Sequence, residues 1–131
     1  MTQEKVVRVI GYYRDPSFLE RIIGQFRKLL MDINWMQARK VSDNGLYEIY
    51  FGIPYTNNFE IAIANLSKTV DVEKVELLED ATVTTYIIKQ DGNVIKGDSV
   101  DAEEYDMVVY KPVFSKITVL SWGVISGKNL Y

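Results

Sequence analysis

The chain has 131 residues, 47% of them hydrophobic, which suits one domain-sized unit with its own core and makes disorder an unexpected reading. It contains no histidine and no cysteine, which excludes Ser-His-Asp and Cys-His catalysis, imidazole or thiolate zinc sites and any disulfide framework, so an enzyme is not expected, nor a metal or cofactor. With 15 basic and 18 acidic side chains the net charge is −3, which opposes nonspecific binding to a phosphate backbone.

Met1-Thr2-Gln3-Glu4-Lys5 lacks a signal-peptide pattern, and no apolar run approaches the roughly 20 residues of a membrane span. The expectation is a soluble cytoplasmic protein with neither nucleic acid nor membrane as partner.

Val6, Val7, Val9 and Ile10 form an apolar run expected of a central strand, with Arg8 facing outward. The turn Tyr13-Arg14-Asp15-Pro16-Ser17-Phe18 then leads into a helix: Asp15 can cap it, Pro16 fits its first turn, and Ser17 with Glu20 offers a capping box. Phe18, Leu19, Ile22, Ile23, Phe26, Leu29 and Leu30 recur at helical spacing and predict one broad core face. Gly24 is expected to let helix and sheet approach closely.

Asp32 and Asn34 bracket Ile33 at the start of a second strand, where Met36 and Ala38 point inward and Trp35, Gln37 and Arg39 outward. Asp43-Asn44-Gly45 predicts a hairpin to a third strand, Leu46 to Phe51, ended by Pro54. Asn57 or Asn58 caps a second helix with Phe59, Ala62, Ile63, Leu66 and Val70 as its buried stripe, and Val72, Val75 and Leu77 follow as a strand. Residues 1–80 therefore read as strand, helix, strand, strand, helix, strand: an α+β, ferredoxin-like βαββαβ unit with a four-stranded antiparallel sheet and both helices on one face.

Residues 81–131 read as a β-rich C-terminal extension, packed on the first unit or on a dimer partner. In it, Thr82 to Lys89 and Val94-Ile95 flank an Asp91-Gly92 turn, Asp101 and Glu104 cap a single helical turn, and Met107 to Tyr110 and Ile117 to Trp122 are strands split by Pro112.

Three strings resemble the ACT domain, particularly that of the acetolactate (acetohydroxyacid) synthase regulatory subunit. They are Phe18-Leu19-Glu20-Arg21-Ile22-Ile23-Gly24-Gln25-Phe26, the pair Asp32-Ile33, and Leu66-Ser67-Lys68-Thr69-Val70-Asp71-Val72-Glu73-Lys74-Val75. The resemblance implies a homodimer with sheets joined edge to edge, a small amino acid as effector, and an acetolactate synthase catalytic subunit as partner, whose cofactors are its own. It places effector contacts at Arg14, Asp15, Pro16, Ser17, Phe18, Asp32 and Ile33. Where relatives commonly carry Asn and, three residues later, Gly, this chain has Arg14 and Ser17; Asp32 stands at a position of Asn. Serine narrows the approach to the backbone N–H groups, and an acid repels a carboxylate while suiting an ammonium group.

Several residues admit a plainer role. Arg14 either grips a ligand carboxylate or is a solvated arginine paired with Asp15, and Asp32 is either a ligand contact or a surface acid. Trp35, Gln37, Arg39 and Tyr50, with Glu48, form either an interaction surface or a face covered by the C-terminal β section.

The leading expectation is a non-catalytic regulatory subunit in branched-chain amino-acid biosynthesis. The alternatives are a free-standing amino-acid sensor, an RNA-binding module that stacks bases on Tyr47, Tyr50 and Phe51, and an acylphosphatase-like enzyme using Arg14 and Asn34. The RNA-recognition signature and the glycine-rich phosphate cradle are both missing.

Overall fold

The computed structural model describes residues 3–120. In chain order the strands and helices are β1 (Glu4–Tyr12), α1 (Ser17–Arg27), β2 (Trp35–Lys40), β3 (Leu46–Pro54), α2 (Phe59–Ser67), β4 (Val72–Glu79), β5 (Thr82–Ile88), β6 (Val94–Lys96), β7 (Met107–Val113) and β8 (Lys116–Val119). The fold is α+β, and the strand pairings are antiparallel. The described residues divide into two compact units, one of residues 80–115 and one that joins residues 3–79 to 116–120. Of the segment expected as a C-terminal extension, residues 116–120 thus group with the first unit.

In the first unit the sheet order is β2-β3-β1-β4-β8. Five strands replace the expected four because β8 pairs with β4 from Glu76↔Val119 to Glu79↔Lys116. The expected strand end at Ser121 and Trp122 lies outside the described residues.

One sheet face presents Val7, Val9, Ile49, Phe51, Ile53 and Val75 to Phe18, Ile22 and Phe26 of α1 and to Phe59, Ala62, Ile63 and Leu66 of α2, so both helices share one core. Each fully buried Val, Ile, Leu or Phe among these contributes about 1.5–3 kcal/mol, which makes this face the main source of stability. Alternation along β2 puts Met36 against that core, opposite Phe51, and sets Trp35, Gln37 and Arg39 on the other face opposite Gly52, Tyr50 and Glu48. Gly45 takes φ +91 in the hairpin between β2 and β3, as the Asn-Gly signal requires.

Both helices end earlier than their apolar periodicity suggests. α1 stops at Arg27, leaving Leu30 at φ 53 and 92% exposed instead of in the core. α2 stops at Ser67, and Val70 is 67% exposed. Gly24 is buried, but a Cβ there would meet only the Arg27 guanidinium at 3.6 Å, so no close backbone approach explains it.

The second unit is a three-stranded sheet of order β6-β5-β7 around the buried Ile87. Gly92 at φ +93 makes the turn between β5 and β6. The single helical turn covers Ser99–Asp101, capped by Asp98 with Asp101 instead of by Asp101 with Glu104. Pro112 does not stand between the last two strands: it lies within the edge strand β7 opposite Val83, where a missing N–H is tolerated.

Candidate functional site

The β1–α1 turn is held by its own side chains. The Asp15 carboxylate accepts the Ser17 N–H at 2.8 Å and also the Ser17 hydroxyl, contacts that lower its pKa. The expected Ser17–Glu20 box does not form; Ser17 Oγ instead accepts from Arg21 Nη1 at 2.6 Å, one helical turn on. Tyr13 stacks on Tyr47 with ring centroids 4.7 Å apart and donates its N–H to Gly45 O, which ties the turn to the hairpin.

Arg14 is paired neither with a free carboxylate nor with Asp15. Its Nε donates to Asp71 Oδ1 at 2.8 Å, and Arg21 Nη2 lies 3.5 Å from Asp71 Oδ2. The hydrogen bond to Asp71 raises the Arg14 pKa. Asp71 sits at φ 73 between α2 and β4, and its carbonyl accepts the Tyr12 N–H at 2.9 Å. This carboxylate occupies the two guanidinium groups beside the start of α1, where an external anion would otherwise bind. Phe18, expected as an effector contact, is fully buried and belongs to the core. Pro16 is exposed.

Asp32 and Ile33 lie at the opposite end of α1, whose 11 residues span about 16 Å, so one chain does not bring them to the first turn. There, Ile23, Arg27, Leu30, Met31, Asp32 and Ile33 line a cleft of about 400 Å³.

The sheet face away from the helices carries an ion network. Arg8 donates to Glu76 at 2.7 Å and to Glu48 at 2.8 Å, and Arg39 also reaches Glu48. Glu48 and Glu76 are only 6% and 4% exposed, and Arg8 lies over the Tyr50 ring at 5.7 Å. Burial disfavours the Arg8 charge, but the hydrogen bonds to Glu76 and Glu48 outweigh it and raise its pKa. Burial likewise opposes charge on Glu48, yet Arg39 and Arg8 hold its pKa below the ordinary value. Trp35, Gln37 and Tyr50 are half-buried and Arg39 is exposed. Val6, Ile10 and Leu78 on this face are buried, while Arg39 at the β2 edge and Lys74, Ile117 and Val119 towards the β8 edge are exposed. Trp35 lies flat over Gly52, where a Cβ would come within 2.0 Å of Nε1.

No family model and no curated protein matches this chain. Among the described residues, no helix is long and apolar enough to cross a membrane and no group of three or more acidic side chains is placed to hold a metal ion.

Sequence reasoning overlooked Asp71, Arg21 and the Glu76 arm of the network. Arg21 was legible as the i+4 partner of Ser17. Arg8, Glu48 and Glu76 each interrupt an apolar strand, and opposite charges inside neighbouring strands signal cross-strand pairing. Nothing local marks Asp71 as the partner of Arg14.

Proposed function

We propose that this chain is a non-catalytic regulatory protein with ferredoxin-like, ACT-type topology, acting as a cytoplasmic homodimer. It binds a small amino acid, an acetolactate synthase catalytic subunit, or both. The observation that carries this reading is the order β2-β3-β1-β4 with α1 and α2 on one core face, together with the sequence strings that resemble the ACT domain. Fold supports a class of binding modules and not one activity, so the choice among them rests on the resemblance. The Asp71 carboxylate across Arg14 and Arg21 favours changed effector recognition at the first turn.

The RNA-binding alternative is weakened by the buried Glu48 and Glu76 on the face that would have to stack bases. Co-purification with an acetolactate synthase catalytic chain tests the proposal: a stable complex is expected, and separate elution with no change in the synthase overturns the subunit reading.

A further inference from the structure

We propose that the open face of the sheet β6-β5-β7 docks one amphipathic helix of a partner protein, a helix that carries acidic residues on both flanks of its apolar stripe. Tyr86 and Ile88 of the central strand meet the stripe, and Lys96 and Lys111 on the two edge strands meet the acids. This docking is independent of the regulatory reading above.

The two faces of the sheet differ. On one side Ile87 is fully buried, the one buried residue between positions 80 and 115. The chain after β6 lies on that side, since a Cβ on Gly97 would come within 3.4 Å of Ile87 Cδ1. On the other side, alternation and register set Ile88 between Val94 and Met107, Tyr86 between Lys96 and Val109, and Thr84 beside Lys111. Val94 and Met107 are 59% and 64% exposed, while Tyr86, Ile88 and Val109 are half-buried. A small sheet gains its stability from a covered apolar face, and an open apolar patch with a polar rim marks a contact surface.

Charge selects what covers it. Residues 80–115 contain three lysines and seven acids, and every one of those acids lies outside the strands. Lys89 pairs with Asp106 and Glu103. Lys96 and Lys111 are exposed and make no ion pair among the described residues. Asp98 and Asp101 line a cleft with Lys96, but they cap their own helical turn. The open face therefore presents two unpaired cations around an apolar centre. A second copy stacked on it would set lysines against lysines, and residues 121–131 of the chain itself contain one lysine and no acid.

Size selects a single helix. Three strands are about 10 Å wide from first to last, close to the diameter of one helix. The 7 residues of β5 span about 23 Å, the length of a helix of about 15 residues. Because Lys96 stands on β6 and Lys111 on β7, the cations flank such a helix on both sides, the complement of glutamates on each border of an apolar stripe.

Titration calorimetry and amide NMR on the full chain test this surface with three synthetic helical peptides of about 15 residues. One has leucine along one face and glutamate on both flanks; the second has lysine in place of glutamate; the third has serine in place of leucine. The leucine–glutamate peptide should bind and shift the amides of residues 86–88, 94–96 and 107–111, and the other two should bind about tenfold more weakly or worse. Lys96→Glu combined with Lys111→Glu should reverse the preference, so that the leucine–lysine peptide binds about tenfold better than the leucine–glutamate one, a gain that misfolding does not produce. Equal binding of the two leucine peptides, binding of neither, or shifts confined to residues 3–79 would overturn the proposal. A chain that sediments as a dimer and becomes monomeric with Val94→Lys would overturn it in favour of a second copy. Binding to phosphatidylserine vesicles without binding to the peptide would overturn it in favour of a lipid surface.

Discussion

Arg14 and Asp71, 57 residues apart in the chain, are joined by a 2.8 Å hydrogen bond that closes the β1–α1 turn against the α2–β4 turn. The contact turns a presumed ligand loop into an internal ion pair. Asp71→Asn keeps a residue that tolerates positive φ and removes only the charge. The Arg14 Nε–H, observed by NMR, should be slowed in exchange in the parent and exchange faster in the variant; equal rates would mean that the pair is not formed in solution.

The same junction depends on Gly11. A Cβ there would lie 2.6 Å from Asp71 O and 2.8 Å from the Phe18 ring, and a backbone oxygen has little freedom to yield. Gly11→Ala should destabilise the protein by about 1–3 kcal/mol in urea unfolding, as overpacking does. Gly24→Ala, facing only a flexible guanidinium at 3.6 Å, should be neutral or slightly stabilising through helix propensity.

Glu48 predicts the acid response. Its folded pKa lies below the ordinary 4.5, so its contribution is present above that value and lost as pH falls through the lower folded one. Unfolding free energy should therefore decline below about pH 4.5. Glu48→Gln should flatten this decline and cost about 2–3 kcal/mol at pH 7. That is less than the roughly 3–5 kcal/mol for breaking a fully buried pair, because Arg39 reaches solvent. A parent-like acid profile in the variant would remove Glu48 as its source.

Leu30→Gly should raise stability by about 1 kcal/mol in chemical denaturation by relieving the left-handed backbone. A loss of stability would show that Leu30 is held by packing instead.

Much of the first unit was readable because its signals are local. Asn44-Gly45 specified the hairpin, and alternation from Trp35 to Arg39 specified which side of β2 meets Phe51. The helix ends were less readable, since Leu30 and Val70 continue an apolar period that the turns after Arg27 and Ser67 interrupt. The pairing of β8 with β4 escaped notice because a strand of 4 residues does not announce a distant partner. The burial of Phe18 was hard to read for a related reason: it opens the helix beside the turn, yet its ring points into the core.

The most direct test of the regulatory account is the rate of a purified acetolactate synthase catalytic chain as this protein is titrated in, with and without valine, leucine and isoleucine. The account predicts a saturable change in rate or in inhibitor response at stoichiometric addition. A rate and inhibitor response unchanged at every ratio would contradict it.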